Sequence, residues 1–287
     1  MKQKLRNGKL ITTGNRQNRV LSFLYGTKTG RILLKPMTLP LPSVMAGAFL
    51  STKASKIFIK PFIKNNNIDM SQFEDRDYKN YNEFFARKIK PDSRTVDFSP
   101  SSLISPCDSK LTALRISSGL RFTLKHTLYS VASLLKEDTL AKEYSGGYAL
   151  IFRLTVDDYH RYCYIDDGFK GENVKIKGKF HTVMPIANDY FPIYKENSRE
   201  YSILHSTNFG DVVMMEVGAM MVGRIVNHHD CAEVKRGEEK GYFQFGGSTI
   251  VLLFKENTIE PDSDILENSL NGIETVVKYG EKIGVKI

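Results

Sequence analysis

The chain has 287 residues and a formal net charge of +9, from 41 Lys or Arg against 32 Asp or Glu. That length suits one large domain, or a domain with an appendage. Three cysteines, an odd number with no C-x-x-C spacing, argue against a disulfide framework and a structural zinc site.

The charge is unevenly placed. Residues 1–68 hold thirteen Lys or Arg and no Asp or Glu, whereas residues 69–287 hold 28 basic and 32 acidic side chains. The excess is therefore +13 in the first segment and −4 in the rest, which predicts an anionic partner for the N-terminal part. Bulky apolar runs interleave with those cations: Val20-Leu21-Ser22-Phe23-Leu24-Tyr25, Ile32-Leu33-Leu34 and Ile57-Phe58-Ile59-Lys60-Pro61-Phe62-Ile63. Such interleaving suits helices lying among lipid headgroups, where each Lys or Arg contributes ~1 kcal/mol at an anionic surface. Nucleic acid is the weaker partner, because nothing resembles an RNA-binding signature or a zinc finger. The competing reading is a basic arm packed on the body. The longest apolar stretch, around 41–50, is short and interrupted, well below the ~20 residues that span a bilayer. The first residues also lack the apolar core of a secretory signal. These features predict a peripheral protein on the cytoplasmic face of the cell membrane.

In chain order, residues 1–68 read as a basic, amphipathic, membrane-associating region. It is helical in pieces, broken at Gly26, Gly30, Pro36 and Pro40-Leu41-Pro42, with Asn65-Asn66-Asn67 as a hinge. Residues 69–287 read as the second domain. Tyr81, Phe84, Phe85 and Ile89 have helical spacing and predict a short helix, packed in the core and ended by Pro91. From about Ser102 the pattern turns to short apolar or alternating runs between glycines and polar turns. Strands are expected at 110–116, 120–125, 147–155, 200–205, 212–215, 219–227 and 248–254. One helix is expected at 129–136, and another after the last strand, packed through Leu266, Leu270 and Ile273. The fold class is α+β, a β-rich body preceded by a helical, basic, membrane-facing region. Asn197 and Arg199 read as a solvated turn, and His228-His229-Asp230-Cys231 as a polar turn, because neighbouring strand residues point apart and rarely converge on one metal.

Three segments carry chemistry. Phe245-Gly246-Gly247-Ser248-Thr249 runs into Ile250-Val251-Leu252-Leu253-Phe254, which sets the Ser248 hydroxyl at the mouth of a buried strand. The two glycines allow a backbone approach that other residues forbid, so Ser248 Oγ is able to fold back on the carbonyl of Gly247. The segment is neither a hydrolase elbow nor a P-loop. A hydroxyl attacks poorly without a base, and His160 in Asp157-Asp158-Tyr159-His160-Arg161 suits that role near neutrality. Asp108 in Leu103-Ile104-Ser105-Pro106-Cys107-Asp108 is the candidate carboxylate to orient the imidazole. Spacing alone leaves Asp108 equally a turn residue, and His160 a satisfied core histidine.

Ser-Pro-Cys-Asp (105–108), Asp-Tyr-His-Arg (158–161) and Phe-Gly-Gly-Ser-Thr (245–249) resemble, in order, the signature segments of the phosphatidylserine decarboxylases. Segments 81–91, 197–200, 217–223 and 235–241 fit the same family, so the resemblance covers about residues 80–287. It implies a catalytic domain over 69–287 that cuts itself between Gly247 and Ser248. The products are a β-chain of residues 1–247 and an α-chain of residues 248–287, held together as a heterodimer. Ser248 would become a covalent pyruvoyl group, the cofactor, that takes the amine of phosphatidylserine in a Schiff base and yields phosphatidylethanolamine and carbon dioxide. Asp108, His160 and Ser248 are the implied catalytic residues, and no metal is implied. This chain departs from the family at Cys163, where many members carry a second histidine. A thiol with a pKa near 8.5 is a poor base at neutral pH, so His160, or a distant group such as His181, must serve. Two other readings compete: a pyruvoyl decarboxylase of a soluble amino acid, which gives the basic apolar segment no purpose, and a non-enzymatic lipid-binding relative that never cleaves.

Overall fold

The computed structural model describes residues 2–12, 16–124, 127–188, 190–219, 224–245 and 248–287. Gly246 and Gly247, and residues 220–223 of the expected 219–227 strand, lie outside them.

The run Thr249–Phe254 is apolar at nearly every position instead of alternating, the pattern of a strand covered on both faces. It forms a strand in which all six residues are buried. Tyr148–Arg153 pairs with it antiparallel on one side and Gly210–Val217 on the other. Among the described residues these three lie in the middle of an eleven-stranded sheet. Past Gly210–Val217 the sheet continues through Arg199–Ser206, Gly168–Lys170 and Ala232–Val234. Past Tyr148–Arg153 it continues through Ser109–Arg115, Glu274–Val277, Lys2–Leu5 and Leu10–Thr12. A smaller sheet joins Ile225–Asn227, Glu239–Phe243 and Arg161–Cys163. The β-rich body is thus as expected, with strands at 109–115, 121–124, 148–153, 199–206, 210–217 and 249–254.

The N-terminal region differs in two respects. Lys2–Leu5 pairs in parallel with Glu274–Val277 and antiparallel with the edge strand Leu10–Thr12, so this segment joins the main sheet instead of forming a helical arm. After it come helices α1 (Arg16–Gly26), α2 (Lys28–Met37), α3 (Pro40–Leu50) and α4 (Ile59–Asn66). Gly26 ends α1 as expected, and Thr27 caps α2 by accepting from Gly30 N. Gly30 and Pro36, however, lie inside α2. A Cβ at Gly30 would sit 2.0 Å from the carbonyl oxygen of Phe23, so that glycine permits α1 and α2 to touch. Pro40 opens α3, where its missing N–H costs nothing. Asn67, at φ 50°, turns the chain left-handed after α4.

Three local expectations are corrected. Helix α5 runs only over Tyr81–Phe85, capped by Asn80, and Ile89 instead bridges to Phe73. The expected 129–136 helix is Val131–Leu135, because Thr127–Ser130 pairs with Arg121–Leu124 and Ser130 caps the helix start. In the helix Ser263–Leu270, Leu266 packs against the core as expected, but the buried positions are Ile265 and Asn268, and Leu270 is 89% exposed.

A buried ion pair braces the sheet. Arg153 reaches across the strand Ser109–Arg115 to Glu274, with Nη2 to Oε2 at 2.5 Å and both side chains under 10% exposed. Removing one charge strands the other in a dry interior, at a cost of about 3–5 kcal/mol. Glu274→Gln should therefore lower unfolding free energy by about 3 kcal/mol, read as a lower urea midpoint at unchanged slope. A midpoint equal to the parent's would show the pair to be solvated.

Candidate functional site

Ser248 precedes the central strand by one residue and extends its ladder, its carbonyl accepting from Leu154 N at 2.8 Å. The side chain is fully buried, and Oγ has no hydrogen-bond partner among the described residues. A buried hydroxyl without a partner is costly and uncommon. In a site that holds its reagents dry, that is the condition of a nucleophile.

His160 sits at the end of the loop that leaves the neighbouring strand Tyr148–Arg153. Thr155 and Asp158 close a turn there, with Asp158 N donating to Thr155 O at 2.9 Å. The Asp158 carboxylate accepts from Thr155 N at 2.7 Å and from Lys110 Nζ at 2.6 Å. The turn holds the Asp158 carbonyl against His160 Nδ1 at 2.9 Å. A carbonyl only accepts, so Nδ1 carries the proton and Nε2 keeps its lone pair. Nε2 is buried and without a partner among the described residues, the second such atom in the site. Burial, followed by the positive charge of Arg87, pulls the imidazole down to about 3. At neutral pH it is an uncharged base.

Aromatic packing joins the two segments. The His160 ring lies 4.0 Å from that of Phe85, and Phe85 lies 5.3 Å from Phe245, three residues before Ser248. Phe245 N donates to Asn82 Oδ1 at 3.2 Å. Helix α5 therefore packs against both the His160 segment and the Phe245 segment, and its Tyr81, Phe84 and Phe85 are buried. Gly247, the other half of the expected cleavage site, lies outside the described residues.

Asp108 does not complete the expected relay. Its carboxylate is bound by Arg94 at 2.9 and 2.5 Å, by Lys278 at 3.2 Å and by Tyr279 N at 2.9 Å, and it makes no hydrogen bond to His160. Burial opposes its ionisation, but Arg94 and Lys278 outweigh that and hold it below the ordinary carboxylate value. The aspartate that orients His160 is Asp158, through its backbone carbonyl. Burial lifts the Asp158 carboxyl above its usual value despite Lys110.

The remaining sequence candidates are committed elsewhere. Cys163 is buried and its thiol is pushed up to about 12 by burial, so it offers no base. His181 stacks on Phe191 at 4.6 Å, with Tyr25 Oη 3.4 Å from its Nδ1. Asn197 and Arg199 are not a solvated turn. Both are buried, Asn197 bonding His181 and Gly218, and Arg199 bonding the carbonyls of Leu134, Lys195 and Ser133. Arg87, Lys110 and Arg94, which set the electrostatics of the site, were not singled out from sequence.

Comparison with known proteins gives the family. The sequence profile of a family described as phosphatidylserine decarboxylase matches residues 81–285. Phosphatidylserine decarboxylase proenzyme 2 of Clostridium acetobutylicum is 50% identical over 269 residues, covering 93% of this chain and 92% of that protein. The phosphatidylserine decarboxylase proenzyme of Ruminiclostridium cellulolyticum is 43% identical over 272 residues, covering 93% and 91%. That of Clostridium tetani is 41% identical over 273 residues, covering 93% and 92%.

The depressed imidazole has a consequence for acid stability. The unfolded chain takes a proton on His160 near pH 6.5, the folded chain only near 3. The unfolded state thus binds more protons in that window, and stability falls as pH drops through it. Between pH 6.5 and pH 4 one such histidine accounts for about 3 kcal/mol. Urea unfolding of the parent and of His160→Gln at both pH values should show the variant losing less stability by about that amount. Equal losses would mean that the ring is hydrated in the folded chain.

Proposed function

This chain belongs to the phosphatidylserine decarboxylase family, and we propose that it matures by cutting its own backbone between Gly247 and Ser248 and works at a membrane surface. It is a carboxy-lyase whose relatives carry the name of proenzyme. The observation that supports the self-cleavage reading is two buried atoms unpartnered among the described residues, Ser248 Oγ just before the central strand and His160 Nε2 on a segment linked to it through Phe85 and Phe245.

The cleavage follows from these groups. Ser248 Oγ attacks the Gly247 carbonyl carbon, a C–O bond replaces the C–N bond, and the hydroxyl proton passes to the freed nitrogen. His160 Nε2 is the carrier. Because the proton is handed on, an imidazole of low basicity suffices. Loss of the Ser248 α-proton with cleavage of its Cβ–O bond then releases the Gly247 carboxylate. Water displaces the nitrogen as ammonia and leaves an α-keto acyl group on the chain 248–287. Holding hydroxyl and carbonyl in an attacking pose is worth ~7–11 kcal/mol, the largest assistance available.

A dry, unpartnered serine fits the pyruvoyl group as its precursor. That group supplies an electron sink for the loss of carbon dioxide from an amino acid headgroup. His160 is the candidate to hold and return the proton that takes the place of the carboxylate. Asp108 then acts by fixing Arg94, Lys278 and the backbone at Tyr279. Thr249–Phe254 keeps a strand on each side after cleavage, so the β-chain and α-chain stay joined as a heterodimer.

The membrane reading is supported by the outer surface of α2 and α3. Ile32, Leu41, Val44 and Met45 are 59–67% exposed, and the exposed Lys28, Lys35, Lys53 and Lys60 lie among them or just beyond. Contiguous apolar exposure of this kind marks an interaction surface, and its basic surround suits anionic headgroups. Among the described residues no single helix is long and apolar enough to cross a membrane. The pair Lys28–Met37 and Leu41–Leu50, bent by 62°, passes that test together by length and composition alone. We read it as lying in the cytoplasmic interface, where the anionic substrate also gathers.

Intact-mass measurement tests maturation. The parent should give two chains, the smaller blocked at its N-terminus and reactive with hydrazines, whereas Ser248→Ala and His160→Ala should stay full length. Cys163→Ala should still cleave. Normal cleavage of His160→Ala would move the base elsewhere. For the surface, Ile32→Ser, Leu41→Ser and Met45→Ser combined should lower flotation with anionic vesicles at least about tenfold, with self-cleavage as the control for folding. Undiminished flotation would remove these helices from the interface.

A further inference from the structure

A cavity of about 410 Å³ opens beside the site, and its lining is dominated by cations: Arg76, Lys79, Arg87 and Arg161 against Glu83. Two of these are neutralised, Arg76 by Glu83 and Arg161 by Glu239, the latter at 2.6 Å. Arg87 is different. It is 1% exposed and has no carboxylate partner among the described residues. Its guanidinium lies over the rings of Phe73 and Phe84, at 4.3 and 5.0 Å. Nη2 reaches only the carbonyls of Asp157 and Asp158, at 3.4 and 3.5 Å, and Nε and Nη1 are buried without a partner.

A guanidinium has five donors in one plane and does not lose its charge near neutrality. Burying it with two nitrogens unpaired is costly, and the cost is recovered when an anion accepts from that plane. The cavity also adjoins the chemistry. The Asp158 carbonyl near Arg87 is the one that accepts from His160, and Asn82, which lines the cavity, holds Phe245.

We propose that Arg87 is the residue that recognises the substrate headgroup, by binding its phosphodiester in this cavity. The inference rests on phosphatidylserine being the substrate and Ser248 the reacting residue. The serine carboxylate is the other anion of that headgroup, and it is the wrong one. It departs as carbon dioxide, so an arginine clamped on it would stabilise the ground state more than the transition state. The phosphodiester is unchanged by the reaction and lies between the reacting serine and the membrane-held glycerol. Binding that is equal in ground and transition states lowers KM without raising kcat. Lys79, exposed at the rim, gives the anion a second cation on its way in.

The test uses the full chain with Arg87→Gln and Arg87→Lys. Intact mass first establishes cleavage. Kinetics on phosphatidylserine in mixed micelles then give KM and kcat, and soluble glycerophosphoethanolamine, a phosphodiester without a carboxylate, serves as inhibitor. Both variants should cleave. KM should rise about 10- to 100-fold in Arg87→Gln and less in Arg87→Lys, with kcat within about threefold and the inhibition constant rising in step with KM. An unchanged KM would overturn the assignment. So would a loss confined to kcat with the inhibitor unaffected, which would place Arg87 at the carboxylate. Uncleaved variants beside a cleaved parent would overturn it too, by giving Arg87 a part in maturation or packing. A parent that neither cleaves nor decarboxylates phosphatidylserine would instead sink the reading on which the inference stands.

Discussion

A backbone can be cut inside a folded protein only if the fragment on each side of the break is held by something other than the bond that is lost. Here that constraint is met by the strand Thr249–Phe254, fully buried and hydrogen-bonded on both edges. The chain after it returns to the same sheet at Glu274–Val277, where Lys2–Leu5 lies alongside. The C-terminal forty residues are thus tied to the first strand, to Ser109–Arg115 and to Tyr148–Arg153 by pairings independent of the 247–248 bond. The Arg153–Glu274 pair crosses the same boundary. On the proposed maturation, a body built this way would lose little on cleavage, leaving Ser248 free to be spent as a reagent.

The second requirement is dryness. Ser248 Oγ and His160 Nε2 are buried and unpartnered in an interior walled by Phe85 and Phe245, where charges and hydrogen bonds act with little screening. The same burial that prepares the site weakens its base, pulling His160 to about 3. In the proposed cleavage, relaying a proton from one atom of the chain to another avoids the conflict, because the imidazolium is never required to persist. It also explains why the histidine is oriented by a neutral carbonyl. A carboxylate at that position would make the ring more basic but would need its own partner in a dry pocket.

What could be read from the residues was whatever is encoded locally. The apolar run after Ser248, the strands flanking it and the aromatic face of α5 all announce themselves by period and composition. Asp108 shows the limit. Its partners include Lys278 and Tyr279, 170 and 171 positions away, so nothing near Ser-Pro-Cys-Asp reveals that its carboxylate is already committed. The Lys2–Leu5 strand is hidden for the same reason, since Lys-Gln-Lys-Leu has no strand pattern and becomes one by register with Glu274–Val277. Helix α5 was drawn too long because Ile89 keeps the helical spacing, although Ala86 already ends the turn and Ile89 belongs to a bridge with Phe73. Arg87 stood in a recognised segment, yet a cation between apolar residues looks like surface punctuation until its burial is known.

Charge balance around the site separates scaffold from function. Asp108 is matched by Arg94 and Lys278, Asp158 by Lys110, and Glu274 by Arg153, each a closed set that fixes backbone or sheet. Removing one partner from such a set leaves an uncompensated buried charge, so these groups serve geometry first. Arg87 is left over, and its field is already visible as the second cause of the low basicity of His160. On the proposal that a headgroup phosphodiester binds at Arg87, that anion would offset the charge and raise the basicity of the imidazole, with burial still the larger cause of its low value. On that reading, proton relay in the precursor and proton return to a bound headgroup would draw on one histidine in two electrostatic states.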